Sequence, residues 1–126
     1  MTTSIDPTTT SAWSALSAHH KSLTPNLREW FAADPERAQK LSFTADELHV
    51  DLSKNLITSE TLELLVKLAE EVKLEQAREA MFSGEHINVT EDRAVLHTAL
   101  RRPEGYTPAL TVDGQDAIAD VHEVLE

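Results

Sequence analysis

The 126-residue sequence contains no cysteine. The chain therefore has no disulfide framework, no thiolate nucleophile and no cysteine-ligated metal site. Glycine occurs only 3 times and aromatic residues make up 5% of the chain, which argues against a turn-rich all-β fold. Leucine, alanine and glutamate instead dominate the middle of the sequence and favour helices.

Basic residues are scarce as well. Lys and Arg number 11 against 22 Asp and Glu, which gives a formal net charge of -11. A surface this acidic repels phosphate backbones and anionic lipids, so we expect neither a nucleic-acid nor a membrane partner. The simplest interpretation of the charge is a well-solvated surface.

Long apolar runs are also missing. No stretch approaches the ~20 residues that a helix needs to cross a bilayer. The first residues, "MTTSIDPTTTSAW", have neither the basic nor the apolar region typical of a signal peptide. We therefore expect a cytoplasmic protein, in which the sequon Asn88-Val89-Thr90 is accidental.

Helical patterns fill most of the first forty residues. Residues 1–10 are rich in Thr and Ser and are predicted to be a flexible N-terminus. "SAWSALSAHHKSL" (11–23) and "TPNLREWFA" (24–32) predict two short helices. "DPERAQKLS" predicts a third, with Asp34 as N-cap and Pro35 at the first helical position.

The hydrophobic period then changes. Apolar residues alternate with polar ones in residues 41–52, which predicts a small β-hairpin with its turn near 45–47. Thr58 or Ser59 is expected to cap the next helix. Its apolar stripe has helical spacing and consists of Leu62, Leu65, Val66, Ala69 and Val72. A continuation from Leu74 is predicted to end at Gly84 as C-terminal cap.

The stretch "GEHINVTEDRAVLHTALRRP" (84–103) holds the highest density of candidate functional residues. Its pattern predicts a helix with Thr90 as N-cap and Arg101 and Arg102 in the last turn before Pro103. The expected buried stripe consists of Val95, Leu96, Ala99 and Leu100. A final amphipathic helix is predicted from about Asp116 to the end of the chain.

A helix here would place Arg93, His97 and Arg101 on one side, because their spacing is i, i+4, i+8. Such a cationic ridge could hold a phosphate or pair with carboxylates. A packed helix flank explains the spacing more simply, because no glycine-rich loop accompanies it.

Other candidate residues also have structural explanations. The adjacent His19 and His20 point to different faces of a helix and cannot chelate a metal as an i, i+4 pair would. The paired Glu70 and Glu71 are typical of a solvated helix face, and "DLSKN" around Ser53 is typical of a turn. The remaining histidines show no ligand-like spacing: His49, His86 and His122. No HExxH, GxSxG or GxxxxGK[ST] motif occurs, so we assign no catalytic, cofactor-binding or metal-binding residue.

The order of four segments nevertheless resembles one enzyme family, the glucose-6-phosphate isomerases or phosphoglucose isomerases, in its N-terminal region. These segments are "LREWFAADPERAQKLSF" (27–43), "HVDLSKNLITSETLELLVKLAEE" (49–71), "AREAMFSGEHINVTEDRAVLHTALRRP" (77–103) and "VDGQDAIADVHEVL" (112–125). "MFSGEHINVTEDRAVLHTALR" is the most specific of the matches. The chain departs from the family at His86, where lysine is frequent, and at Leu52, where an aromatic residue is frequent.

The resemblance implies an enzyme that interconverts glucose 6-phosphate and fructose 6-phosphate in glycolysis and gluconeogenesis. The expected chemistry is ring opening followed by proton transfer through a cis-enediol, without a cofactor. A glutamate base, a histidine, a lysine and a phosphate-binding Ser/Thr-rich loop would carry it. The family implies two sugar-isomerase (SIS) α/β domains and a homodimer. Its catalytic motifs lie beyond the matched segments, so no role transfers to a residue of this chain.

We therefore expect a mainly α structure with a small β-hairpin, the N-terminal part of an SIS-type enzyme. Residues 11–126 would be an incomplete helical region that ends before the catalytic domains, inactive alone. The abrupt end at Glu126, without a capping residue, fits this expectation. A supporting role for Arg93 or His97 in the intact enzyme stays open. The alternative is a free-standing acidic helical module that docks into a partner's groove.

Overall fold

The computed structural model describes residues 4–125. Within this range the chain forms six α-helices and two small antiparallel sheets, which confirms a mainly α structure with a small β-hairpin. The elements are α1 (Ser11–Ser22), α2 (Leu27–Ala33), α3 (Arg37–Lys40), β1 (Ser42–Ala45), β2 (Leu48–Asp51), α4 (Ser59–Glu71), α5 (Leu74–Ser83), β3 (Thr111–Val112), β4 (Gln115–Asp116) and α6 (Ala117–Leu125). Residues 6–71 make up one compact unit, called the N-terminal unit, and residues 72–125 belong to the other, the C-terminal unit.

The first two helices begin at side-chain caps. The Thr10 hydroxyl accepts the N–H of Trp13 at the start of α1, and the Asn26 amide oxygen accepts the N–H of Glu29 in α2. Both predicted helices are confirmed. The segment predicted to be flexible contains a 3₁₀ turn at Pro7–Thr9, while its residues 1–3 lie outside the described range.

The predicted start of the third helix at Asp34 and Pro35 is wrong. The N–H of Asp34 still bonds the carbonyl of Trp30 at the end of α2, and the Asp34 carboxylate accepts the N–H of Glu36 at 3.1 Å. These local bonds hold Pro35 and Glu36 in a turn. The single-turn helix α3 therefore begins only at Arg37.

The β-hairpin is confirmed where the period of two predicted it. Phe43 pairs with Val50 and Ser42 with Asp51 across β1 and β2. The connection contains Asp46 in the left-handed region at φ 54°, a conformation that aspartate tolerates better than most residues.

The helix α4 begins where the sequence predicted, at a reciprocal cap. The Thr58 hydroxyl accepts the N–H of Thr61, and the Thr61 hydroxyl accepts the N–H of Thr58. The apolar stripe that predicted the helix is only partly packed, because Leu65 is 44% and Val66 57% exposed while its other three residues are half-buried. The side that packs on α1 carries Thr61, which is buried.

The predicted helix over residues 90–102 is wrong. This segment instead forms a closed turn between Asn88 and Arg93, an irregular stretch, and a 3₁₀ turn at Ala99–Arg101. The side chains of Asn88, Thr90 and Glu91 bond one another and compete with helical backbone bonds. Of the expected buried stripe, Ala99 is fully buried, Val95 and Leu96 are half-buried, and Leu100 is 57% exposed.

The C-terminal unit ends in a hairpin and a helix. Asp113 and Gly114, both at positive φ, connect β3 to β4, a hairpin that the sequence analysis missed. The predicted last helix is confirmed, because the Asp116 carboxylate caps α6 through the N–H groups of Ile118 and Ala119. The core of this unit contains Ala99, Leu110, Ala117 and Ile118, with Leu96, Val112 and Val121 packed against them.

Candidate functional site

The segment that follows α5 is positioned by Gly84. This residue caps α5 in the left-handed region at φ 79°, as predicted, and the N–H of Glu85 bonds the carbonyl of Ala80 at 3.0 Å. A Cβ at Gly84 would lie 2.6 Å from Cγ2 of Val112 in β3. Only glycine allows this turn and this close approach together.

His86, two residues further, lies between two carboxylates. Its Nδ1 is 3.0 Å from Oδ1 of Asp92, and its Nε2 is 3.1 Å from Oδ1 of Asp113. The hydrogen bond to Asp92 is the largest cause that raises the pKa of His86 above its ordinary 6.5, and the charge of Asp113 raises it further. The histidine thereby joins the loop after α5 to the β3–β4 turn.

The loop that carries Asp92 is closed by its own backbone. Asn88 and Arg93 exchange two N–H to carbonyl bonds of 3.0 and 3.2 Å. The Asn88 side chain accepts the Thr90 hydroxyl at 2.8 Å and donates to Glu91 at 3.1 Å. Asp92 itself sits in the left-handed region at φ 50°. The polar residues of the dense stretch therefore mainly bond one another.

Arg102 fixes the other end of this stretch. Its guanidinium donates to the carbonyl of Phe82 at 3.1 Å and lies 4.7 Å from the ring centre of Tyr106. The Nε2–H of His122 in α6 donates to the carbonyl of Arg102 at 2.9 Å. These bonds join the end of α5, the 3₁₀ turn and α6 within the C-terminal unit.

In the N-terminal unit the "DLSKN" turn surrounds a buried cation. The guanidinium of Arg37, a residue 6% exposed, donates to the carbonyls of Ser53, Asn55 and Ile57 at 2.8 to 3.1 Å. It also lies 4.9 Å from the ring centre of Trp30. Arg37 satisfies carbonyls that the turn leaves unpaired, so its role is structural.

Ser53 is buried under the same turn. Hydrogen bonds from the Ser53 hydroxyl, and then from its backbone N–H, lower the pKa of the Asp51 carboxyl. Asp51 therefore stays ionised as a turn-stabilising acceptor, and it accepts the N–H of Ser53 at 2.8 Å. The predicted turn interpretation of this motif agrees with the geometry.

Two further polar residues of this unit join α1 to α4. The Nε2 of His19 is 2.7 Å from the Thr61 hydroxyl, and its Nδ1 is 3.6 Å from Glu60. Glu71 accepts the hydroxyl of Ser11 and the N–H of Ala12 at the first turn of α1. The Ser11 hydroxyl bond, followed by the Ala12 N–H, lowers the pKa of Glu71.

Neither the cationic ridge nor the preferred packed helix flank is present, because both require a helix over Arg93, His97 and Arg101. Arg93 ends the closed loop, His97 lies in a turn and Arg101 in the 3₁₀ turn, so the three do not share a helix face. The side chains of all three are exposed. Across residues 4–125, no group of three His, Asp or Glu side chains is arranged to hold a metal ion.

Each unit presents a largely apolar groove. The groove of the C-terminal unit has a volume of about 420 Å³ and is lined by residues that include Leu96, Leu100, Val121 and Val124. The groove of the N-terminal unit has a volume of about 450 Å³ and is lined by residues that include Trp13, Leu16, Leu23 and Leu56. None of the described helices combines the length and the apolar character that crossing a bilayer requires.

Comparison with known proteins decides the family. The family model described as phosphoglucose isomerase matches residues 51–126. Proteins named glucose-6-phosphate isomerase are 54% identical to this chain in Bifidobacterium longum, over 125 residues, and 57% identical in Corynebacterium kroppenstedtii, over 121 residues. The alignments cover 97% and 95% of this chain. The chain belongs to the phosphoglucose isomerase family.

The chain spans only about a fifth of its relatives' length. The alignments cover 22% of the Bifidobacterium longum protein, 21% of the Corynebacterium kroppenstedtii protein and 22% of a relative from Mycolicibacterium smegmatis, which is 54% identical over 124 residues. This coverage confirms the expectation that the chain matches only part of each relative. The family match includes the closed loop, the β3–β4 hairpin and α6.

Proposed function

We propose that this chain is the N-terminal scaffold of an enzyme that interconverts glucose 6-phosphate and fructose 6-phosphate. The observation that carries the proposal is the identity of 54% to 57%, over nearly the whole chain, with proteins named glucose-6-phosphate isomerase. The reaction is an intramolecular oxidation and reduction, in which a proton moves between C2 and C1 of the opened sugar through a cis-enediol. It needs a base, an acid for ring opening and a phosphate site, but no redox cofactor.

The geometry supports a scaffold role for the residues of this chain. The polar side chains of the most specific stretch form structural contacts: His86 bonds Asp92 and Asn88 bonds Glu91 within the stretch, and Arg102, just after it, donates to the carbonyl of Phe82. Asp51 and Glu71, two of the acids with lowered pKa values, are acceptors for N–H and hydroxyl groups in turns and caps. A lowered pKa makes a carboxylate a weaker base, so neither group suits proton abstraction from a sugar carbon. The proposed base, acid and phosphate loop belong to the remaining part of the enzyme.

We further propose that the rest of the enzyme folds as sugar-isomerase α/β domains. These domains would cover the apolar groove of each unit. The intact enzyme would be a cytoplasmic homodimer. About four fifths of the relatives' length has no counterpart in this chain, which supplies a large occupant for these surfaces. Val124 is 85% and Leu125 61% exposed beside the groove of the C-terminal unit, and burying them would be favourable. The net charge of -11 argues against a nucleic-acid or membrane partner.

A coupled isomerase assay tests the proposal. Fructose 6-phosphate is converted to glucose 6-phosphate, which an NADP-linked dehydrogenase detects. This polypeptide is compared with a version extended to the length of its relatives. We expect activity only in the extended version. Activity in the short chain would place a catalytic base among these residues, and inactivity of a folded extended version would refute the assigned reaction.

A free-standing interaction module is not favoured. The family match and the whole-chain identity both connect these residues to a longer isomerase rather than to an independent domain.

A further inference from the structure

His86 connects two turns of the C-terminal unit that are far apart in sequence. One is the closed loop, residues 88–93, which carries Asp92; the other is the β3–β4 turn, which carries Asp113. The His86 side chain is 31% exposed, and the two carboxylates are 71% and 72% exposed. Solvent protons therefore reach all three groups directly.

The geometry favours one charge state of this histidine. Both ring nitrogens face a carboxylate oxygen, at 3.0 and 3.1 Å. An ionised carboxylate can only accept hydrogen bonds, and a neutral imidazole has only one N–H to donate. The imidazolium cation has two N–H groups and satisfies both carboxylates, whereas the neutral ring leaves one nitrogen lone pair opposite an anion.

We propose that His86 is a pH-operated clamp, which joins the closed loop to the β3–β4 turn while the imidazole is protonated and releases one of them when it is neutral. Both turns contain an aspartate in the left-handed region, at φ 50° for Asp92 and φ 51° for Asp113. Aspartate tolerates this conformation better than most residues, but it remains less favourable than for glycine, so a side-chain contact from outside the turn helps to hold it. Protonated His86 supplies this contact to Asp92 and to Asp113 at the same time.

The expected pH range follows from the charges around the ring. Asp92 acts on His86 from the closed loop and Asp113 from the β3–β4 turn, and the main opposing effect is the partial burial of the ring. Together they raise the pKa of His86 above its ordinary 6.5. A raised pKa in the folded state means that the clamp is fully formed below about pH 6.5 and is lost as the pH rises through the folded-state value.

When neutral His86 no longer holds the β3–β4 turn, the contact between Gly84 and β3 would loosen. Val112 in β3 lies against Gly84, directly after α5, and β4 leads into α6. A loosened β3–β4 turn therefore gives the start of α6 more freedom. The clamp would make the mobility of this hairpin depend on pH above about pH 6.5, independently of the isomerase reaction.

Hydrogen–deuterium exchange measured by mass spectrometry tests the clamp. Exchange is followed in peptides covering residues 88–93 and 111–116, at about pH 6, below the ordinary pKa of the ring, and at about pH 8.5, well above it. His86→Lys keeps a cation at every pH in the range, and His86→Asn never carries one. Dividing each variant's rate by the wild-type rate at the same pH removes the chemical pH dependence of exchange.

At the lower pH we expect His86→Asn to exchange faster than the wild type in both peptides, by roughly two- to fivefold, the range typical of exposed ion pairs. At the higher pH the wild type should approach His86→Asn, while His86→Lys stays protected. His20→Asn, at an exposed histidine of the N-terminal unit, should change neither peptide.

The proposal is overturned if the ratio of His86→Asn to the wild type is the same at both pH values, or if it is close to one throughout. If His86→Asn loses protection in α5 as well, the variant has unfolded, and Asp113→Asn replaces it as the test, with the same expected dependence on pH. The measurement is repeated in the version extended to the relatives' length, where an unchanged β3–β4 peptide across pH would equally refute the clamp.

Discussion

A buried arginine holds the "DLSKN" turn in the N-terminal unit. Arg37 donates to three backbone carbonyls that no other described group satisfies in the turn, and it lies against Trp30 and Phe31. A lysine or an alanine cannot reproduce this forked set of donors. The identity of this one side chain therefore determines whether the turn after β2 keeps its shape.

We expect Arg37→Ala to lower the free energy of unfolding by about 3 kcal/mol, because it leaves buried carbonyls without donors. Urea unfolding followed by circular dichroism measures the change. Arg28→Ala, at an exposed arginine of α2, is the matched control and should change stability by less than about 0.5 kcal/mol. Equal effects of the two substitutions would show that the carbonyl bonds of Arg37 contribute nothing.

Glycine at position 84 combines a conformational and a steric requirement, and these can be separated. Gly84→Ala should cost about 1 kcal/mol for the positive φ, plus roughly 1–3 kcal/mol for the clash with Val112. Gly105→Ala is the control, because Gly105 also has a positive φ but a Cβ added there would meet no atom within 4 Å. Thermal unfolding of both variants should show the larger loss at Gly84, and a larger loss at Gly105 would contradict the close packing of β3.

At the scale of elements, the sequence predicted best where periodicity and caps agree. The hairpin of β1 and β2 and the helices α4, α5 and α6 follow from period and capping residues alone. The predicted helix over 90–102 failed, because Asn88, Thr90 and Glu91 form side-chain bonds with one another that periodicity does not register. The β3–β4 hairpin was missed although Asp113-Gly114 is a recognised hairpin turn signal.

The candidate site was less predictable than the fold. His86 and Asp113 are 27 residues apart in sequence, and no local spacing rule connects them. Arg93, His97 and Arg101 were grouped only because a helix was assumed, and that grouping disappeared with the helix. Contacts between distant turns depend on tertiary packing, which local patterns in a single sequence do not predict.

The link between α1 and α4 predicts a pH effect on stability. Bonds from Ser11 and Ala12 lower the pKa of Glu71 below its ordinary 4.5, so its contribution is present above about pH 4.5 and is lost as the pH falls through the lower folded-state value. Glu71→Gln should therefore destabilise the chain at neutral pH and make less difference in acid.

Urea unfolding at neutral pH and at about pH 3 measures this dependence. Glu70→Gln, at the neighbouring exposed acid of α4, is the control and should have little effect at either pH. A destabilisation by Glu71→Gln that is the same at both pH values would contradict the assigned role of the ionised carboxylate.

At the scale of the whole molecule, each unit leaves much of its apolar surface uncovered. Leu65 and Val66 of α4 are exposed in the N-terminal unit, as are Leu100 and Val124 in the C-terminal unit. An isolated soluble domain rarely presents apolar surface of this extent. This exposure supports the proposal that the rest of a longer protein of this family covers these surfaces.

The most direct test concerns the two residues that sequence reasoning left open. Arg93→Ala and His97→Ala are introduced into the version extended to the relatives' length, and kcat and melting temperature are measured for each. If this chain is scaffold, kcat should stay within about threefold of the wild type, because loss of a general acid or base costs roughly 100-fold or more. A collapse of kcat by that factor with an unchanged melting temperature would place Arg93 or His97 in the catalytic machinery and contradict the account.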